Sequence, residues 1–188
     1  VTKNQISVAT PTLWSPEFPN LYEAEVVIKV ANQVLDVYKQ TFGIRSIEFS
    51  AEKGFLLNGK RVMLKGGCLH HDNGYLGAAA FDRAEQRKVE LMKANGYNAI
   101  RCSHNPPSEA FLDACDKLGV LVIDEFTDMW KNYKNKNDYH RFFTEWWERD
   151  LTATLMRDRN HPSIIMWSIG NEIPKKSIED GVRIGRNL

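Results

Sequence analysis

The 188 residues carry 25 Lys and Arg against 24 Asp and Glu, a formal charge of +1, and 43% of them are hydrophobic. That balance lacks the basic field a nucleic-acid or polyanion binder needs, and its apolar content is ample for a core, which argues against disorder. No apolar run approaches the roughly 18–20 residues that cross a bilayer, Val1–Thr10 does not read as a secretory signal, and Cys68, Cys102 and Cys115 lack the CxxC spacing of a disulfide scaffold or zinc ribbon.

From Tyr22 to Val30 the even positions are Tyr22, Ala24, Val26, Ile28 and Val30, while Glu23, Glu25 and Lys29 are polar, the alternation of a half-buried strand. Val34–Ile44 reads as a second strand and Ile47 with Phe49 as a third; Pro11, Pro16 and Pro19 confine Thr10–Asn20 to loop. Strands joined by short turns suggest part of an antiparallel sandwich over residues 1–49, since a full one takes roughly 100 residues. A chain starting at Val1 rather than Met is therefore expected to enter that domain partway, as a piece of a longer protein or a processed product.

Phe55–Leu57 and Val62–Leu64 flank Asn58-Gly59, a two-residue hairpin signal. From there strands and helices alternate. Val62–Lys65 is the expected first strand. Asp82 and Glu85 offer N-cap and N3 groups to a helix that runs to Asn95 and stops at Gly96. Asn98–Arg101 is the second strand. Ser108 caps a helix burying Phe111, Leu112, Cys115 and Leu118 that Gly119 ends, and Val120–Ile123 is the third strand. A long helix with Phe143, Trp146, Trp147, Leu151 and Leu155 on one face precedes the fourth, Ser163–Ile169.

This repetition implies a parallel sheet covered by helices. A nucleotide-binding sheet would show GxGxxG or GxxxxGK[ST] after its first strand, and Gly66-Gly67-Cys68-Leu69-His70 is neither. The α/β fold expected over residues 50–188 is therefore the first half of a (β/α)8 TIM barrel, four strands of eight.

Active sites of such barrels lie at the C-terminal ends of the strands. There the sequence places His70, His71 and Asp72; then Arg101, Cys102, Ser103, His104 and Asn105; then Asp124 and Glu125, with Asp128 and Trp130 beyond; then Asn171 and Glu172. Each also has a plainer reading. Glu172 could cap the next helix, Asn171 could be a turn residue, and Arg101 with Asp124 or Glu125 could be structural ion pairs. The histidines have no metal-ligand spacing such as HExxH, so neither a metal nor a cofactor is expected.

His70-His71-Asp72, the run from Asn98 through Arg101-Cys102-Ser103-His104-Asn105 to Pro107, Asp158-Arg159-Asn160-His161-Pro162-Ser163 and Trp167-Ser168-Ile169-Gly170-Asn171-Glu172 together resemble glycoside hydrolase family 2, which includes β-galactosidases, β-glucuronidases and β-mannosidases. The resemblance runs from about Leu21 to the C-terminus and implies a retaining exo-glycosidase in which an immunoglobulin-like sandwich, here residues 1–49, precedes the TIM barrel. Glu172 matches the general acid/base, and Asn171 the residue contacting the sugar 2-hydroxyl. Arg101 matches the arginine beside the nucleophile and His104 a sugar-contacting histidine. His71 and Asp72 fall where the sugar subsite is lined, and Asp128 and Trp130 where substrate contacts are frequent. A general acid of this kind must be kept protonated by desolvation or a neighbouring carboxylate.

The nucleophilic glutamate is expected on a later strand than this chain reaches, so the segment alone is expected to be inactive. The partner is a terminal β-linked sugar, most simply a β-galactoside. The alternatives are a glucuronide, a mannoside or a non-catalytic glycan-binding role. A homo-oligomer of the full-length protein is compatible with the sequence, and the compartment (cytoplasmic, periplasmic or secreted) is left open.

Overall fold

The computed structural model describes residues 5–174 and 177–186; the part of the leader reading that rests on residues 1–4 lies outside them. The first sheet is an antiparallel hairpin of β1 (Tyr22–Val30) and β2 (Gln33–Phe42), with Tyr22 opposite Phe42 and a bulge at Ile28/Lys29. Its alternation predicts one buried face. Instead Val26, Ile28 and Val30 are exposed, because among the described residues no second sheet covers them.

The third strand, β3 (Ile47–Ser50), does not join that hairpin. It pairs antiparallel with β4 (Gly54–Leu57), which pairs in turn with the short β5 (Lys60–Arg61). The boundary expected between residues 49 and 50 thus falls inside β3. Asn58 and Gly59 both take positive φ, 53° and 74°, as the tight turn requires, so Leu57 faces Lys60.

Four strands then form one parallel sheet in chain order: β6 (Gly66–His70), β7 (Ala99–Ser103), β8 (Leu121–Glu125) and β9 (Ile164–Ser168). The first lies beyond the expected Val62–Lys65. That apolar run does not enter the ladder because the Asn98 side chain takes its backbone groups: Asn98 Nδ2 donates to the Met63 carbonyl at 3.0 Å, and Lys65 N donates to Asn98 Oδ1 at 2.7 Å. Pairing begins at Gly66, opposite Ala99. Here glycine is a packing requirement, since a Cβ on Gly66 would lie 2.3 Å from the Ala99 carbonyl oxygen.

The helices are α1 (Asp82–Ala94), α2 (Glu109–Leu118), α3 (His140–Asp158) and α4 (Ile178–Gly185). Ser108 caps α2 as expected, accepting from Phe111 N at 3.2 Å, and Gly119 closes it in the left-handed conformation. The cap expected for α1 does not form. Phe81 holds the N-cap position, Asp82 sits in the first turn, and Glu85 is buried and bonded elsewhere. On α3, Phe143, Trp147 and Leu151 are core, whereas Trp146 is half-buried with the Arg149 guanidinium 4.6 Å from its ring.

Alternation along the strands divides the core. Ile100, Cys102, Val122 and Ile164 face α1 and α2, packing with Val89, Phe111, Leu112 and Cys115. Ala99, Leu121 and Ile165 turn the other way and meet Phe55, Leu57 and Trp14, so the β3–β5 sheet closes the lower end of the half-barrel. Trp14, fully buried, donates Nε1–H to the Asp116 carbonyl at 2.9 Å. Arg45 donates to the carbonyls of Pro162 and Ile164, each at 2.5 Å. These bonds fix the segments before and after the hairpin under the barrel floor and leave the C-terminal strand ends open. Among the described residues no helix is long and apolar enough to cross a membrane.

Candidate active site

Arg101 and Glu125 sit on the Ala99 and Leu121 side of their strands by the period of two. Their side chains meet at the C-terminal rim. Glu125 is fully buried and gathers four hydrogen bonds: Arg101 Nε (3.0 Å), Arg101 Nη2 (2.5 Å) and Ser168 Oγ (2.6 Å) donate to Oε2, and His104 Nδ1 lies 2.6 Å from Oε1. A carboxylate only accepts, so the His104 proton is on Nδ1 and its other ring nitrogen is left as an acceptor when the ring is neutral. The His70 ring meets His104 edge-on, with centroids 5.2 Å apart.

From this hub the network runs to the end of β9. Arg101 Nη2 also donates to Asn171 Oδ1 at 3.0 Å, and Asn171 Nδ2 donates to Asp128 Oδ1 at 3.0 Å. A donor on one side and a carboxylate on the other fix which way the amide points. One N–H and one carbonyl lone pair of Asn171 remain for another partner. The Asn171 backbone N–H donates to the Asp128 carbonyl at 2.9 Å, which ties the two loops together.

Glu172 follows with a backbone φ of 51°, a left-handed conformation that a non-glycine residue rarely holds and that gathers at functional sites. Its environment differs from the expected one. The side chain is 74% exposed, and its partner is a cation: Lys134 Nζ lies 2.8 Å from Glu172 Oε2 and 2.5 Å from Asp128 Oδ1. The hydrogen bond and charge of Lys134 hold the Glu172 carboxyl below its usual range, against weaker opposition from Asp128. For Asp128, burial opposes ionisation, but bonds from Lys134 and Asn171 prevail and its carboxyl is also held low.

Arg101, His104, Asp128, Asn171 and Glu172 thus come together at one rim. His71 and Asp72 follow β6 on the same side but are turned to their own loop: His71 Nε2 lies 3.0 Å from the Ala78 carbonyl, and Asp72 Oδ1 accepts from Gly74 N at 2.7 Å. Trp130 is not on the rim. It is 4% exposed, stacks on Phe143 and donates Nε1–H to the Ile169 carbonyl at 2.8 Å, so burial of its ring outweighs display as a sugar platform. Sequence reasoning missed Lys134 and Ser168, and treated Glu125 only as one possible ion-pair partner.

Asp124 points away from the rim, into the helix layer beside Asp158, whose carboxylate is bonded by Arg157 at 2.5 and 2.7 Å. Burial first, and the Asp158 charge second, push Asp124 up to about 8. At the opposite end of the sheet Asp113, Asp116 and His161 offer ligand atoms within 4.8 Å of one another. Asp116 already accepts from Ser163 N (3.0 Å) and faces His161 Nδ1 (2.6 Å). Burial disfavours charge on that imidazole, but the Asp116 bond outweighs it and raises its pKa. Beside His104 and Asp128 opens a cavity of about 360 Å³, lined also by Pro106, Phe126, Tyr139 and Thr154.

Half of a parallel βα-barrel, with the Arg101–Glu125–Asn171 network at the C-terminal strand ends, defines a barrel of the kind whose rim carries the active site. Residues 48–182 match the TIM barrel domain of the glycosyl hydrolases family 2, and residues 1–45 match a further domain of the same family. The chain belongs to that family. It is 47% identical over 173 residues to a β-galactosidase of Bacteroides ovatus, covering 92% of this chain and 20% of that protein. A solved family member from Bacteroides cellulosilyticus superposes with a TM-score of 0.88 at 56% identity, covering 94% of this chain and 23% of the other. A β-glucuronidase from Ruminococcus gnavus, solved with a C6-substituted uronic isofagomine, gives 0.81 at 30% identity, covering 96% and 31%. The chain spans about a fifth of the length of the curated relatives it matches.

Proposed function

We propose that the protein containing this chain is a retaining exo-acting glycoside hydrolase that removes a terminal β-linked sugar, with Glu172 as its general acid/base. The observation that carries this is the Arg101–Asn171–Asp128 chain ending at Glu172, at the C-terminal end of β9. An oriented amide with a free donor and acceptor suits a sugar hydroxyl, and the adjacent carboxyl can pass a proton to the glycosidic oxygen. The same carboxylate then takes a proton from water to release the covalent intermediate. The nucleophile belongs to a later barrel strand. Arg101 is its electrostatic neighbour on the rim and is itself anchored by Glu125. His104 contributes the ring nitrogen not engaged by Glu125, and His71 and Asp72, bonded within their own loop, shape the edge of the sugar subsite through that loop.

The hairpin β1–β2 is assigned to the immunoglobulin-like domain, and β3 onward to the barrel. The leading substrate is a β-galactoside, which the Bacteroides ovatus relative's name supports. The structural likeness to β-glucuronidases makes a β-glucuronide the second reading. Screening the full-length protein against the nitrophenyl β-galactoside, β-glucuronide and β-mannoside tests both. Dominant turnover of the galactoside is expected, dominant turnover of the glucuronide would favour the second reading, and no turnover of any would reject hydrolysis of these sugars.

A further inference from the structure

We propose that Lys134 is the positioning residue of the acid/base, its ammonium bridging Asp128 and Glu172 so that the side chain and charge of Glu172 are held at the rim. The proposal rests on the reading of Glu172 as acid/base. Among the described residues Lys134 is the only side chain in hydrogen-bond or ion-pair contact with Glu172. Its own place is built from the backbone outward. Lys134 N (2.8 Å) and Asn135 N (2.9 Å) donate to Asp138 Oδ2, and His140 N donates to Asp138 Oδ1 at 3.0 Å. Asp138 therefore ties the loop carrying Lys134 to the first turn of α3, and the lysine is aimed before its ammonium makes any contact. Because Asp128 also accepts from Asn171, one cation couples the carboxyl to the amide beside it.

Among the described residues the groups acting on Glu172 are Lys134, Asp128 and His104, with Arg101 one hydrogen bond further away through Asn171. Removing Lys134 reverses the sign of the nearest charge, leaving Asp128 to oppose ionisation of Glu172. A retaining hydrolase needs this group as an acid in the first step and a base in the second. Lys134 favours the base, at the expense of the alkaline range of the first step. The bridge is exposed enough for salt to screen it.

The test is the pH profile of kcat/KM of the full-length enzyme on a glycoside with a poor leaving group, whose alkaline limb reports the essential acid of the free enzyme. Lys134→Gln should move that limb to higher pH, and Lys134→Arg should restore the original position. Added salt should move the wild-type limb in the same direction as Lys134→Gln, an arm that holds even if the Gln variant folds poorly. A limb unmoved by both the substitution and salt overturns the proposal. The underlying reading is judged separately by azide rescue of Glu172→Gln. Rescue with an unmoved limb rejects only the role of Lys134, whereas no rescue rejects the acid/base itself.

Discussion

Glu125 is the point at which the rim is most easily broken without touching a reacting group. Glu125→Gln preserves shape and removes the charge. The carbonyl of the new amide can keep the bonds from Arg101 Nε, Arg101 Nη2 and Ser168 Oγ, but its NH₂ then faces His104 Nδ1, which must give up its proton and become the acceptor. The proton moves to the other nitrogen, so the edge His104 presents changes from acceptor to donor. Hydrogen bonds to charged groups contribute about 1.5–3 kcal/mol against about 0.5–1.5 for neutral ones. Three charge-assisted bonds weakened by about 1 kcal/mol each, discounted because Arg101 is partly exposed, give a loss of about 2–3 kcal/mol. Arg101 and Asn171 are released with it, and displacement of such groups by about 1 Å costs roughly 10²-fold in rate. The assay is kcat/KM on the best nitrophenyl glycoside together with thermal unfolding of the full-length protein. A fall of about a hundredfold and a lower melting temperature are expected. Wild-type values for both would refute the assignment of Glu125 as the hub.

Two further substitutions test the framework. Asp124 is raised from 3.8 to about 8 in the folded protein. Below pH 4 it is neutral in both states; between pH 4 and 8 the unfolded chain ionises and the folded one does not, so stability is lost as pH rises. Asp124→Asn, which cannot ionise, should therefore gain stability over wild type progressively across that window in denaturant titrations, and an advantage independent of pH would contradict the raised pKa. Gly66→Ala would set a methyl 2.3 Å from the Ala99 carbonyl oxygen. Overpacking costs about 1–3 kcal/mol, occasionally more, and here it falls on the first ladder pair, so soluble yield and melting temperature should both drop.

Much of this arrangement can be read from the chain, and the exceptions have physical causes. The alternation of β7 and β8 places Arg101 and Glu125 on one side and Asp124 on the other, although the sequence reading sets Asp124 and Glu125 together on the rim. Strand one is displaced because Val62–Leu64 is apolar for another reason: Val62 packs on the barrel floor, and the Asn98 side chain ends the segment's access to the ladder. Trp14 is core without any periodic neighbours, since a single indole in a proline-rich loop gives no pattern to detect. Lys134 sits among Lys131 and Lys136 in a polar loop, and only the turn made by Asp138 distinguishes it. Trp130 comes only from the family resemblance, which places frequent substrate contacts there; in the structure its N–H bonds the Ile169 carbonyl and its ring stacks on Phe143.

The role of Glu172 is tested most directly by Glu172→Gln in the full-length enzyme, measured as the ratio of rates for glycosides with poor and activated leaving groups. General acid catalysis contributes about 10²–10⁴-fold, so poor leaving groups should slow by roughly that factor. An activated aryl glycoside should still form the covalent intermediate, which then breaks down slowly for want of a base. Azide, which needs no base, should restore turnover and yield a β-glycosyl azide. A folded Glu172→Gln protein whose leaving-group ratio equals that of wild type, and which azide leaves unchanged, would contradict the account.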